Sequence, residues 1–226
     1  QHCGLEHHHC CVANLPRGLL QAIKTAVMTG PGDDTVTVNL YLPGQADVHL
    51  PAGRVRLQTQ TDYPLGGDVR LRLELDQPTA FTLRLRIPPW SKETKLSVNG
   101  EDVAAAPGAG AEITRTWHNG DDVLLELDLG CRVTPFADPA QAYIALERGP
   151  LVLARDQRLN DTSVHEPIAR PDGDRMPVHA VAVDGDYLAV VESETHPGLR
   201  LCDYPSAGTT WDRGTSDFRV WLPVTD

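Results

Sequence analysis

The sequence predicts a mainly β fold: one N-terminal helix followed by two antiparallel β-sandwich domains. Three observations carry that prediction. Segments in which every second residue is Val, Leu, Ile or Phe recur between residues 35 and 87, the period-two pattern of a sheet with one face in solvent. Turn dipeptides separate them at the short intervals typical of sandwiches. Helical spacing of apolar residues is confined to one stretch near the start.

That stretch comes first. Leu15, Leu19, Ile23, Ala26 and Val27 recur at spacings that place them on one helical face. Asn14 reads as the N-cap, Pro16 as a first-turn residue whose missing N–H costs nothing, and Gly30-Pro31 as the stop. The predicted helix therefore covers about 15–28. Strands follow at Thr35–Leu42, Arg54–Thr59, Val69–Leu75 and Phe81–Ile87, each with Arg, Thr or Glu on the opposite face. Leu65-Gly66-Gly67-Asp68, Pro88-Pro89, Asn99-Gly100 and Asn119-Gly120-Asp121 mark turns. Asn99-Gly100 is a two-residue hairpin signal, because both positions tolerate positive φ. Later strands are expected at Ala140–Leu146, Pro150–Arg155, Val178–Val183, Tyr187–Val191 and Phe218–Leu222, with a polar, Pro-rich loop from Asn160 to Pro177. The pattern shifts near Gly130-Cys131, so the expected divisions are 1–30, 31–131 and 132–226.

Composition narrows the partners. The 226 residues are 41% hydrophobic, enough for a real core, yet no run nears the roughly 20 apolar residues that cross a bilayer. The net charge of −11, from 20 basic against 31 acidic residues, repels phosphate and so argues against nucleic acid and anionic membranes. Five cysteines, an odd number, argue against a disulfide framework, and a reducing compartment, the cytoplasm first, is the default. The chain opens Gln1-His2-Cys3, with neither an initiator Met nor a signal peptide, and the expectation is a cut through a larger protein.

One cluster carries chemistry. Cys3, Glu6, His7, His8, His9, Cys10 and Cys11 offer thiolate and imidazole within nine residues, a donor set suited to tetrahedral Zn²⁺. Two adjacent cysteines reach one ion only from an irregular segment or a helix start, and a place just before an Asn14 cap meets that demand. A zinc-held thiolate is a nucleophile at neutral pH, although full coordination quenches it. Blander readings stand beside this one: buried cysteines, a solvated His tract, or a strained vicinal Cys10–Cys11 disulfide. Asp33-Asp34, Asp121-Asp122 and Asp172-Gly173-Asp174 suit turns better than paired acid/base work or a calcium loop. His49, His118, His165, His179 and His196 have no partner visible in sequence. Trp90, Trp117, Trp211 and Trp221 offer a sugar-stacking platform, but core packing is the commoner fate of Trp.

His9-Cys10-Cys11-Val12-Ala13-Asn14 with Pro16-Arg17-Gly18-Leu19 resembles the Cys-Cys-x-x-Asn segment of glycoside hydrolase family 127, the β-L-arabinofuranosidase-like enzymes. Further similarities follow in family order: Val38-Asn39-Leu40-Tyr41, Thr61-Asp62-Tyr63-Pro64 with Gly66-Gly67, and Leu85-Arg86-Ile87-Pro88 with Trp90. Val98-Asn99-Gly100, Trp117 with Gly120-Asp121, and Arg148-Gly149-Pro150-Leu151-Val152 complete the set. Residues after 155 carry little of the resemblance. It implies an (α/α)6-barrel catalytic domain followed by β-sandwiches, with the N-terminal helix as the last of the barrel. It also implies a retaining hydrolysis of arabinofuranoside-containing carbohydrate. Cys10 would be nucleophile and zinc ligand, and Cys11 a further zinc ligand. The family's Glu-x-Cys zinc ligands and acid/base Glu lie ahead of the cysteine pair, and Cys3 and Glu6 do not match them. The 226 residues alone are therefore expected to be inactive. The rivals are a non-catalytic β-sandwich module that binds carbohydrate or braces a partner domain, and a structural zinc site at His7–Cys11.

Overall fold

The computed structural model describes residues 10–30, 34–138, 140–209 and 216–225, with side chains from residue 14 onward. It divides the chain into two compact units, Gln1–Leu127 and Asp128–Asp226.

The first unit opens with α1, Cys10–Ala26, and passes directly into β1, Val27–Thr29. This corrects the expected helix in three ways. Asn14 lies inside α1 rather than capping it, and Pro16 is interior, where its missing N–H leaves the Val12 carbonyl without its helical donor. The Cys-Cys pair thus sits on the helix itself. At the other end Val27 and Met28 leave the helix to pair with Val38 and Thr37 of β2, Thr35–Val38. Strand pairing with a β-branched residue at hand overrides weak helical propensity there.

Two sheets then form a sandwich. One has the order β1-β2-β6-β9, with β6 at Thr79–Arg86 and β9 at Gly110–Trp117. The other runs β3-β4-β5-β10-β7-β8, using Gly44–Leu50, Gly53–Thr61, Asp68–Leu75, Asp122–Glu126, Lys95–Val98 and Glu101–Asp102 respectively. Alternation decides which side chains enter: Val69, Leu71, Leu73 and Leu75 of β5 are buried while Arg70 and Arg72 are exposed. Leu57, Leu71 and Leu73 from one sheet meet Val36, Leu83 and Leu85 from the other in a single core. Each is worth about 1.5–3 kcal/mol when fully buried. Antiparallel pairing was expected throughout, and one pairing in this unit departs from it. β2 and β6 run parallel, because the chain crosses to the second sheet for β3–β5 before returning. Thr35–Leu42 is also shorter than expected, ending at Val38.

The second unit holds β11, Cys131–Pro135, β12, Tyr143–Arg148, and β13, Leu151–Asp156. It continues with β14, Ile168–Ala169, β15, Val178–Ala180, β16, Val190–Ser193, β17, Arg200–Asp203, β18, Phe218–Arg219, and β19, Leu222–Thr225. The β12–β13 hairpin is closed at Leu146↔Leu153 and then splays. Beyond that point the last strands fill the fork, β18 pairing Arg155 and Asp156 while β19 pairs Tyr143 and Ile144. β19 also pairs β14 in parallel. The expected strand Phe218–Leu222 is thus broken at residues 220–221, where the chain changes partners. Ile144, Leu146, Leu153, Met176 and Leu201 are its fully buried centre.

Candidate functional site

The motifs that carry the family resemblance are mostly framework. Asn99 and Gly100 both have positive φ, 52° and 84°, as a type I′ hairpin turn requires. Asn99 Nδ2 donates to Asp121 Oδ1 at 2.9 Å, and the Asp122 N–H donates to Asn99 Oδ1 at 2.9 Å. The Asn99-Gly100 turn is thereby tied to the 118–121 turn. Asp121 also accepts the His118 N–H, so this aspartate is turn chemistry, and these bonds hold its carboxyl below the usual range against the opposing effect of burial. Asp122 pairs with Arg70. Trp117 is fully buried, stacks on Phe81 at 5.6 Å and donates its Nε1–H to the Phe81 carbonyl. It packs the core and cannot stack a sugar. Trp90 packs against the same core, and Trp211 lies outside the described residues.

The Tyr63-Pro64-Leu65-Gly66-Gly67 motif makes a tight β4–β5 connection. A Cβ on Gly67 would stand 2.2 Å from the Leu127 carbonyl oxygen, so only glycine lets this turn approach the end of β10. Tyr41 is buried, meets Tyr63 edge-on at 6.2 Å and donates to the Arg86 carbonyl at 2.6 Å. Burial raises its pKa far above the ordinary phenol value, so it is a structural hydroxyl, not a proton donor.

One motif reaches the helix that carries the cysteine pair, at its far end. Asn39 Nδ2 donates to the Thr25 carbonyl at 2.9 Å, and the backbone N–H groups of Asn39 and Leu40 both donate to Ala26 O. The last carbonyls of α1 are thus satisfied by the sandwich, which fixes the helix at its C-terminal turn. Upstream the helix is uncovered. Leu15, Leu19, Leu20 and Ile23 are 66%, 60%, 59% and 63% exposed, an apolar face with nothing packed on it among the described residues. Cys10 and Cys11 lie on this same helix, more than three turns from the Asn39 anchor at about 1.5 Å per residue.

Cys3, Glu6, His7, His8 and His9, and the side chains of Cys10 and Cys11, fall outside the described residues. Among the described residues no group of three or more His, Cys, Asp or Glu could hold a metal ion. Cys131 and Cys202 are free and buried. Burial pushes their thiols up to about 11 and about 12 respectively, which makes both inert at neutral pH.

Two of the lone histidines have partners after all. His196 Nε2 lies 2.8 Å from Ala169 O, with Thr195 Oγ1 3.0 Å from its Nδ1. His165 bonds Asp217 and Arg219, more than 50 residues away. Trp221 differs from the core placement expected of Trp: it is 38% exposed beside that group. Sequence spacing carries no sign of this cluster beyond the run Asp217-Phe218-Arg219-Val220-Trp221. No described helix is long and apolar enough to cross a membrane.

Residues 35–129 match the family profile described as β-L-arabinofuranosidase, GH127 middle domain. No curated protein gives a significant match to the sequence. Among solved structures, one described as a glycoside hydrolase aligns with a TM-score of 0.80 at 25% identity, over 97% of this chain and 40% of its own. A GH127 β-L-arabinofuranosidase from Geobacillus stearothermophilus T6 aligns at 0.78 and 23% identity, over 96% of this chain and 37% of its own. A GH127 β-arabinofuranosidase aligns at 0.78 and 25% identity, over 96% and 38%. The chain resembles the GH127 β-L-arabinofuranosidases, with residues 35–129 matching their middle domain and about two-fifths of the length of these solved relatives spanned.

Proposed function

We propose that this chain is part of a retaining glycosidase of the β-L-arabinofuranosidase type, acting on arabinofuranoside-containing carbohydrate. The observation that carries the reading is α1: a helix joined to a GH127-type middle domain, bearing Cys10-Cys11 and an uncovered apolar face. That face has the width of a buried helix stripe, so it suits docking against further helices such as those of a catalytic barrel.

Cys10 acts as the nucleophile in this reading, attacking the anomeric carbon and displacing the aglycone. Water then displaces the Cys10 sulfur, and two inversions give net retention. The leaving oxygen needs a proton from a carboxylic acid that the resemblance does not place on any residue here. Cys10 and Cys11 would hold zinc, whose chemistry when bound is to keep a thiol deprotonated at neutral pH. Two thiols fit its donor preference but supply half of a tetrahedral set. With no acid/base and half the ligands, the 226 residues alone do not turn over.

The test uses a nitrophenyl β-L-arabinofuranoside. Release by a longer polypeptide containing this chain, abolished by Cys10→Ala and with the β configuration kept in the first-formed sugar, is the expected result. Zinc-dependent release by the 226 residues alone would overturn the inactivity, and release unaffected by Cys10→Ala would overturn the nucleophile.

A further inference from the structure

A groove of about 570 Å³ on the second unit is lined by three aromatic residues, Tyr204, Phe218 and Trp221, and by the polar group His165, Asp217 and Arg219. We propose that it is a saccharide-binding site, taking a neutral sugar unit whose C–H face lies on the aromatic rings and whose hydroxyls meet Asp217 and Arg219. Neither Cys10 nor any residue of the first unit enters this inference, so it stands or falls separately from the glycosidase reading.

The aromatic group is exposed and rigid at once. Tyr204 is 49% and Trp221 38% exposed. Trp221 is nonetheless pinned: it stands edge-on to Phe136 at 4.9 Å and 87°, and Phe136 meets Tyr143 at 6.2 Å. Tyr204 and Phe218 lie 5.9 Å apart at 53°. Rings already fixed by such contacts lose little entropy when a ligand covers them.

The polar group is pre-organised too. Arg219 Nε donates to His165 Nδ1 at 2.8 Å. His165 Nδ1 is therefore the acceptor, and its Nε2–H donates to Asp217 Oδ2 at 2.7 Å. Among the described residues Asp217 Oδ1 and the terminal nitrogens of Arg219 make no other side-chain bond, leaving one acceptor beside a fork of donors. A sugar hydroxyl both donates and accepts, so adjacent hydroxyls match that pair. The backbone is held as well: the Gln157 N–H donates to Asp217 O at 3.0 Å, and Phe218 and Arg219 pair with Asp156 and Arg155.

Charge selects the ligand class. The Asp217 carboxylate and the Arg219 guanidinium cancel. A phosphate or uronate would meet Asp217, and a cation would meet Arg219. A neutral hydroxylated ring with an apolar face meets no such penalty.

The experiment is affinity electrophoresis of the 226-residue chain in gels containing arabinan, xylan or laminarin. Retardation is expected in at least one, with apparent affinity lowered about tenfold or more by Trp221→Ala and by Asp217→Ala. Trp221→Phe should retain most of the retardation, and Cys10→Ala all of it. Should Trp221→Ala fail to fold, Tyr204→Ala removes a ring that is half in solvent and is read the same way. No retardation in any of the three gels, or equal retardation of wild type and variants, overturns the proposal. So does sedimentation showing a dimer that Trp221→Ala dissociates, since the groove would then belong to a second copy.

Discussion

Replacing Leu15, Leu19, Leu20 and Ile23 together with Gln tests the central observation about α1. These side chains are 59–66% exposed, so only about two-fifths of each is covered, much of that by the helix's own turns. Full burial of such a side chain is worth about 1.5–3 kcal/mol. The part covered by the helix's own turns stays covered in Gln, so each exchange counts as a surface substitution worth about 0.2 kcal/mol, and Gln keeps both chain length and helix propensity. The quadruple variant should cost the chain less than about 1 kcal/mol in urea unfolding followed by circular dichroism. Leu83→Ala is the control: the same residue type at 0% exposure should cost about 2–5 kcal/mol. The uncovered surface leaves about 1–2 kcal/mol per residue, or roughly 4–7 kcal/mol in all, available to whatever docks there. The quadruple variant should accordingly abolish glycosidase activity in a longer polypeptide while leaving the fold of these 226 residues intact. A loss above about 2 kcal/mol in the chain itself would refute the reasoning, because the face would then be packed on something within it.

Gly18 has nothing within 4 Å of a built Cβ, so Gly18→Ala should stabilise α1 by about 0.5–1 kcal/mol, read as a higher helical signal at 222 nm. Asn39→Ala removes the bond to Thr25 O and should cost about 1 kcal/mol, with faster amide exchange confined to the last turn of α1 and to β1. Gly67→Ala must push away the Leu127 carbonyl and the 2.9 Å bond from Leu127 N to Gly67 O, costing about 1–3 kcal/mol in thermal or urea unfolding. Asp156 is fully buried and accepts from Arg158 Nε, Arg158 Nη2 and the Gly208 N–H. Burial opposes ionisation there, but these bonds outweigh it and hold the carboxyl below the usual range. Its stabilisation is therefore fully present above the unfolded-state pKa of about 3.9 and lost as pH falls from there through the lower folded value. Asp156→Ala should cost about 3–5 kcal/mol at pH 7 and flatten the acid limb of the stability curve; equal slopes for wild type and variant below pH 4 would contradict this.

Much of the first unit was legible because its information is local. β5 and β6 alternate so regularly that their buried faces can be read off residue by residue, and Asn99-Gly100 announces its turn by backbone conformation alone. β3, Gly44–Leu50, escaped notice because its pattern is mostly exposed and only its pairing with β4 makes it a strand. β17 is buried at three of its four residues, too short a run to show a period, and joins the sheet through β13 and β16. The bounds of α1 failed for a related reason. Asn14 and Pro16 are good terminal residues in isolation, yet where the helix ends is set by β2 and Asn39, between ten and fourteen residues beyond Thr25.

By itself the sequence determined the β-rich class, the single described helix and the family resemblance, since each rests on periodicity or residue order along the chain. Tertiary structure alone decided which surfaces remain uncovered. It left the apolar face of α1 without a partner among the described residues. It buried Cys131, Cys202 and Trp117 beyond reach of chemistry, and it brought His165, Asp217 and Arg219 together beside Trp221 across half a hundred residues. Exposure and convergence are properties of packing between distant segments, and no local spacing encodes them.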